Sequence, residues 1–388
     1  MGLVGAERLK TARKRANMTQ RQLADASGVS LSQVKKIEAG RYTPRLETLR
    51  AFAVAMDVRT SNLQDQPDFQ MPDTDTENQW APVWPALSGE ISQPDEPATV
   101  EGVQSVLDSV QVMISADRYA EVTALLPNLI RDADSLEGGE RARAVRFRVL
   151  NLVGSLLAQT RQFEVADTVL DRALDIAENG VEAATVTDTR LWAVLRQGRL
   201  EDARNLAIGV ADTIEPRFSR ASLSIIAMWG RLWLKVANAA VRDNQPGEAD
   251  EAMSMARAAA YRIGRDVYVE RLLGRTFGPL EVGYITGEMH VIAGEPELTI
   301  AGAKQLPLPM LEPTGSSRMR HRLDLANAHV QLGNYGDALQ EMRRVQTNAP
   351  EWLVQQRYSR DILGSMISKR RSLTREMRDM ATAIRLDY

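Results

Sequence analysis

The chain has 388 residues, long enough for two or three structural units and a sizeable core, with 48 Lys and Arg against 51 Asp and Glu and no cysteine. The missing cysteines exclude disulfides and thiolate metal sites, and three scattered histidines, His290, His321 and His329, leave no basis for a metal centre. Charges appear by Glu7 and Arg8, and no later run approaches the roughly 18 apolar residues of a membrane span, so a soluble, cytoplasmic protein that does not engage membranes is expected.

The near-neutral total hides an asymmetry. Residues 1–64 hold 12 Lys and Arg against 5 Asp and Glu, a net of +7, whereas the remaining 36 basic and 46 acidic residues give −10. A basic head on an acidic body predicts that only the head meets a polyanion.

The head, residues 1–64, reads as short helices joined by tight turns. Thr19 is a natural N-cap for a helix whose Leu23 and Ala24 face inward, and Gly28 supplies the left-handed residue of a tight turn. Ser30 caps the next helix, whose Val34 and Ile37 pack against Leu23, and Gly40 ends it. Pro44 starts a further helix lined by Leu46, Leu49, Ala53 and Met56, which closes a small core. Cap, turn glycine, helix stop and apolar positions all agree.

The segment MTQRQLADASGVSLSQVKKIEAGRYTPRLETLRAFAVAM, within about residues 5–63, closely resembles the Cro/434-repressor-like (XRE) helix-turn-helix family. That resemblance implies a second motif helix entering the major groove by its N-terminal end, with Leu31, Ser32, Gln33 and Lys36 nearest the base edges and the capping Ser30 among the DNA-binding residues. Gln20 is expected at the DNA backbone beside the groove, and Lys35, Arg41, Tyr42 and Arg45 at phosphates. It further implies double-stranded DNA as partner, a pseudo-palindromic operator bound by a homodimer, and repression as the usual outcome. The sequence leaves open which region supplies the dimer contact.

Residues 65–98 form an acidic, proline-rich linker. Between residues 65 and 101 lie six prolines and nine acidic residues without one Lys or Arg, a composition hostile to long helices and packed strands. The linker's carboxylates are placed to compete with DNA phosphates for the basic head. Trp80 and Trp84 are compatible with docking on the body or with exposure.

From residue 99 to 388 apolar residues recur at helical spacing, with breaks at GNYGD, RQGRLED and NQPGE, so the protein is expected to be all-α. The clearest unit lies within Arg320 to Pro350 and contains LDLANAHVQLGNYGDALQEMRRVQTNAP; it resembles a tetratricopeptide repeat, with Ala326 and Ala338 at the close approach of its two helices. Weaker copies predict about six helix pairs and a terminal cap near residues 355–385, stacked as an α-solenoid with a concave groove; an irregular helical bundle is the alternative.

A groove map follows from counting back 13, 10 and 6 residues from the turn residues Gly333, Asn244 and Arg161, positions that share one helix face. It yields Arg320, Leu323 and Asn327; Arg231, Leu234 and Asn238; and Arg148, Asn151 and Ser155. Trp192, Tyr284 and Glu288 fall at equivalent places. Asn amides suit a peptide backbone and Arg forks suit a carboxylate, although plain solvation of these side chains is equally compatible with the pattern.

An XRE head on a tetratricopeptide-like body resembles the Rap, Rgg, NprR, PlcR and PrgX group of peptide receptors, which implies a peptide or small-molecule ligand and quorum sensing. No phosphate-cradling glycine loop, HExxH or GxSxG occurs, so neither enzymatic activity, catalytic residues nor a cofactor is expected. The competing function is an interaction protein whose solenoid captures a protein, as an autoregulating antitoxin or a phosphorelay adaptor does.

Overall fold

The computed structural model describes residues 3–64, 79–89, 96–306, 315–370 and 372–387. The head contains α1 (Leu3–Arg15), α2 (Gln20–Ser27), α3 (Leu31–Glu38) and α4 (Leu46–Met56), followed by a single 3-10 turn at Ser61–Leu63. Helix α2 begins with a reciprocal capping box: Thr19 Oγ1 accepts from Gln22 N at 3.2 Å while Gln22 Oε1 accepts from Thr19 N at 2.8 Å. Gly28 then turns the chain with φ +70°, and Ser30 Oγ accepts from Gln33 N at 3.2 Å to start α3. Leu9, Leu23, Val34, Ile37, Phe52 and Leu63 are wholly buried in a core that belongs to the head alone.

The body consists of antiparallel helix pairs. They are α6 (Val100–Ser115) with α7 (Tyr119–Ser135), α8 (Glu140–Gln159) with α9 (Phe163–Asp175), and α10 (Gly180–Arg196) with α11 (Leu200–Thr213). Next come α12 (Leu223–Arg242) with α13 (Pro246–Ile263), α14 (Pro279–Ala293) with α15 (Pro296–Ala303), and α16 (Gly315–Gln331) with α17 (Tyr335–Asn348). The cap is formed by α18 (Pro350–Val354), α19 (Arg357–Ser368) and α20 (Arg375–Ala383). The expected helix pairs and cap are therefore present, and helical repeats follow the head.

All six pairs close with one backbone device. A single left-handed residue follows the first helix: Asp117, Arg161, Gly198, Asn244, Gly294 and Gly333 in turn. The next N–H reaches back to a carbonyl five residues earlier, as in Arg118 N to Met113 O at 2.9 Å and Asn334 N to His329 O at 2.8 Å. This satisfies a carbonyl left over at the helix end and reverses the chain in two residues. The interval between these turns exceeds the roughly 34 residues of the tetratricopeptide unit in every case.

Small residues set the helix spacing. Ala326 and Ala338 are fully buried, and a Cβ on Gly154 of α8 would stand 2.5 Å from Leu170 of α9. Three successive cores fill the stack, centred on Leu126, Leu152 and Leu170, then Ile226, Leu232 and Met253, then Leu323, Met342 and Leu363.

Two features depart from an all-helical body and a plain linker. Between α13 and α14 the chain forms an antiparallel hairpin, β1 (Val267–Glu270) with β2 (Arg275–Phe277), in which Val267 faces Phe277. Its four- and three-residue strands are too short to display an alternating pattern. In the predicted linker, residues 79–89 contain a 3-10 turn (Ala81–Val83) and α5 (Trp84–Leu87), and Trp80, Val83 and Ala86 are buried in the first core of the body. Trp80 stacks on Trp84 with ring centroids 6.0 Å apart, so this stretch docks. Linker residues 65–78 and 90–95, with most of its carboxylates, lie outside the described residues.

The stack curls until its ends meet. The Asp117 carboxylate, in the first turn, accepts from Glu351 N at 2.7 Å and Trp352 N at 3.1 Å at the start of α18, and Glu351 Oε2 accepts from Ala120 N at 2.9 Å. The head seats on the rim of this ring. Thr60 Oγ1 donates to Arg242 O at 2.9 Å, Ser61 N to Asp243 Oδ1 at 2.8 Å, Asn244 Nδ2 to Val58 O at 3.1 Å, and Arg50 Nε to Val241 O at 3.1 Å.

Candidate nucleic-acid interface and ligand cavity

Helix α3 is held by a buried ion pair. Arg13 of α1 forks Glu38 of α3 through Nε at 2.6 Å and Nη2 at 2.9 Å, and Gln20 Nε2 of α2 donates to the same carboxylate at 2.7 Å. Burial works against the charge on Glu38, but Arg13 and Gln20 outweigh it and hold the carboxyl below its usual range. Three helices are thereby locked in one register. Gln20, expected at the DNA backbone, has its amide nitrogen engaged in this lock.

The residues expected at DNA differ in their exposure. Ser30, Ser32, Lys35 and Lys36 are exposed, as are Arg41 and Tyr42 in the loop that follows; Leu31 and Gln33 are half-buried, Leu31 against the head's own core. Arg45 is also exposed, yet it is ion-paired with Asp361 of α19.

Inside the ring lies a cavity of about 1240 Å³, and residues 42–50 of the head form part of its wall. Eight of the twelve residues mapped from the turns line it: Ser155, Trp192, Arg231, Asn238, Tyr284, Glu288, Arg320 and Asn327. Leu234 and Leu323 are buried in the cores instead, and the map's other two misses lie at its N-terminal end. Arg148 instead donates to Gln104 Oε1 of α6 at 2.5 Å beside a separate small hollow, and Asn151 is covered by α10, accepting from Thr189 Oγ1 at 2.9 Å. Helix packing against neighbours on both sides withdraws these two from the ring's interior.

Most of the cavity's charges are matched. Asp188 of α10 receives Arg231 at 3.0 Å, Arg275 at 3.5 Å and Lys235 at 3.6 Å. Burial opposes its ionisation, but these three cations hold its carboxyl far below the usual range. Glu288 pairs with Arg242 at 2.6 Å and Arg320 at 2.8 Å, and despite burial it is held down to about 2. Arg320 also lies 4.2 Å over the Tyr358 ring, whose hydroxyl accepts from Asn327 Nδ2 at 3.0 Å. Asp324 is pushed up to about 8 by burial and then by the charge on Glu288. His321 stacks on Tyr284 at 4.6 Å, and burial, aided by Arg322, lowers it to about 4.

Asp188, Glu281, Arg242 and Tyr358 were not among the expected groove residues. The same count of 10 from Gly198 gives Asp188, and 13 from Gly294 gives Glu281, so the repeats that yielded Trp192, Tyr284 and Glu288 held two further cavity residues at the remaining positions. Among the described residues no cluster of His, Asp and Glu could hold a metal ion, and no helix is long and apolar enough to cross a membrane.

The head's capped helices, left-handed turn and exposed α3 define a helix-turn-helix domain joined to a helical-repeat body. Residues 9–63 match the helix-turn-helix family. Over 57 residues the chain is 42% identical to the cryptic phage CTXphi transcriptional repressor RstR of Vibrio cholerae serotype O1, covering 15% of this chain and 51% of that protein. Over 119 residues it is 28% identical to the immunity repressor protein of Bacillus phage phi105, covering 28% of this chain and 83% of that one. The chain thus spans about half the length of the first of these relatives. Among solved structures it is similar to ComR from S. thermophilus, solved in complex with DNA and its signalling peptide ComS, with 12% identity, 89% of this chain and 99% of that chain covered, and a TM-score of 0.26.

Proposed function

We propose that this chain is a sequence-specific transcriptional repressor, active in the cytoplasm, that binds a pseudo-palindromic DNA operator as a homodimer and whose affinity for DNA is set by a ligand in the ring cavity. The ligand is a peptide or a small molecule. Ser32, Gln33 and Lys36 read bases, with Leu31 at a thymine methyl and Ser30 beside them at the DNA, while Lys35, Arg41, Tyr42 and Arg45 hold phosphates.

One observation carries the gating part of this reading: head and body line the same cavity, and Arg45, a phosphate candidate, is paired with Asp361 of the body. A ligand seated there touches both sides of the junction. It therefore has a different free energy in the docked and the released arrangement, which is the requirement for shifting their populations.

Native mass spectrometry of the protein from its own host, together with mapping of its bound DNA, tests this. A co-purifying peptide or small molecule that alters operator affinity supports the reading. An empty cavity and a stoichiometric bound protein would replace it with a docking scaffold.

A further inference from the structure

Arg196, at the end of α10, differs from the paired cations of the cavity. Arg231, Lys235, Arg275, Arg242 and Arg320 each have a carboxylate within salt-bridge distance, whereas among the described residues Arg196 has none. Its guanidinium lies 4.5 Å over the Trp192 ring, and Nη1 donates to Gln159 O at 3.0 Å. Burial, then the charges of Arg161, Arg320 and Arg360, lower its pKa to about 9, so the site lacks negative charge. An arginine does not relieve this by losing its proton.

The surroundings are apolar on the side of the cavity. Leu156, Trp192 and Leu195 line the wall with Tyr119, whose hydroxyl is bonded to Gln159. The head is close: a Cβ on Gly198, two residues after Arg196, would stand 2.8 Å from Gln64 Nε2 of the head.

We propose that Arg196 anchors a carboxylate of the cavity's ligand, and that this ligand carries an apolar or aromatic group packed on Leu156, Trp192 and Tyr119. The proposal rests on the reading that the cavity takes a ligand. A guanidinium stacked on an indole keeps its planar edge for a bidentate partner, and an anion there supplies the charge that the wall lacks. Its position beside Gly198 puts the occupied site against the junction with the head.

The test uses the full-length protein without DNA and three probes: 4-phenylbutyrate, 4-phenylbutyramide and phenyl phosphate, followed by calorimetry and thermal melting. The acid is expected to bind and raise the melting temperature, with the amide about tenfold weaker or worse. Arg196→Met is expected to lose about tenfold in affinity for the acid, and Arg196→Lys to retain part of it. Equal binding of acid and amide, undiminished binding by folded Arg196→Met, tighter binding of phenyl phosphate, or no binding of any probe at millimolar concentration would each overturn the assignment. Failure here is separable from failure of gating. If the acid binds through Arg196 but leaves operator affinity unchanged, only the gating fails; if a host ligand gates the Arg196→Met protein normally, only this assignment fails.

Discussion

Arg45, at the start of α4 in the head, is ion-paired with Asp361 in α19 of the body, 316 positions later in the chain. The same guanidinium is a phosphate-contact candidate, and on the proposed reading DNA and Asp361 compete for it. Asp361 is itself costly to ionise, first through burial and then through the nearby charge of Glu47, while Arg45 and Arg357 favour its charge.

Asp361→Asn should therefore tighten operator binding by the ligand-free protein. Half-exposed pairs contribute about 0.2–1 kcal/mol, which corresponds to roughly a 1.5- to 5-fold gain. Fluorescence anisotropy with operator DNA selected from a random pool measures it, and weaker binding would mean that Asp361 supports the DNA-binding arrangement.

Base reading and phosphate anchoring should separate in the mutants. Gln33→Ala is expected to cost about 1–3 kcal/mol on the operator and little on unrelated DNA. Lys35→Ala should weaken both and lower the salt dependence by about one unit of slope. Titrations at several salt concentrations distinguish the two patterns, and a uniform loss for Gln33→Ala would remove it from base readout.

Gly230 of α12 faces the ring of Phe277 in β2, and a Cβ there would lie 2.2 Å from the ring. Phe277 is fully buried and cannot retreat without breaking the hairpin's pairing with β1. Gly230→Ala should destabilise the fold by about 1–3 kcal/mol, read as a lower denaturant midpoint. An unchanged midpoint would show that the hairpin adjusts freely.

Two buried groups give opposite pH dependences. His321 stays neutral in the fold with its pKa at about 4 against an ordinary 6.5, so the unfolded chain takes up a proton that the native state refuses; its contribution is complete above 6.5 and is lost as pH falls toward 4. Burial raises Asp117 from 3.8 to about 6, so the native state keeps a proton longer and stability falls as pH rises between those values. His321→Gln should flatten the loss toward acid, and Asp117→Asn should remove the opposing slope. Urea titrations between pH 4 and 7 read both; slopes unaffected by either substitution would contradict the assignments.

The head was legible because its determinants are local. Thr19, Gln22, Gly28, Ser30 and Gly40 fix their turns through partners within a few residues. The helix pairs were legible for the same reason, since one left-handed residue and the small residues around it define each hairpin. Long-range partners were not. Asp188 in one pair is matched by Arg231 and Lys235 in the next and by Arg275 in a hairpin too short to register as strand. Trp80 sat in a proline-rich acidic stretch, and only the body's first core decides that it is buried. Asn151 and Arg148 show the limit of counting: a face shared within one helix says nothing about which neighbouring helix covers it.

On the proposed reading, with Arg45 held by Asp361, a head seated on the ring is withheld from DNA. The cysteine-free chain permits a direct measurement: Val58→Cys with Asn244→Cys puts the only two thiols on residues that meet across the head–body junction, where the Asn244 amide reaches the Val58 carbonyl, and a short bifunctional maleimide can join them. Joined protein is expected to bind the selected operator at least about tenfold more weakly than the same double variant left open, a difference of about 1.4 kcal/mol. Equal affinity of the joined and open forms would contradict it, because a permanently seated head would then be fully competent to bind DNA.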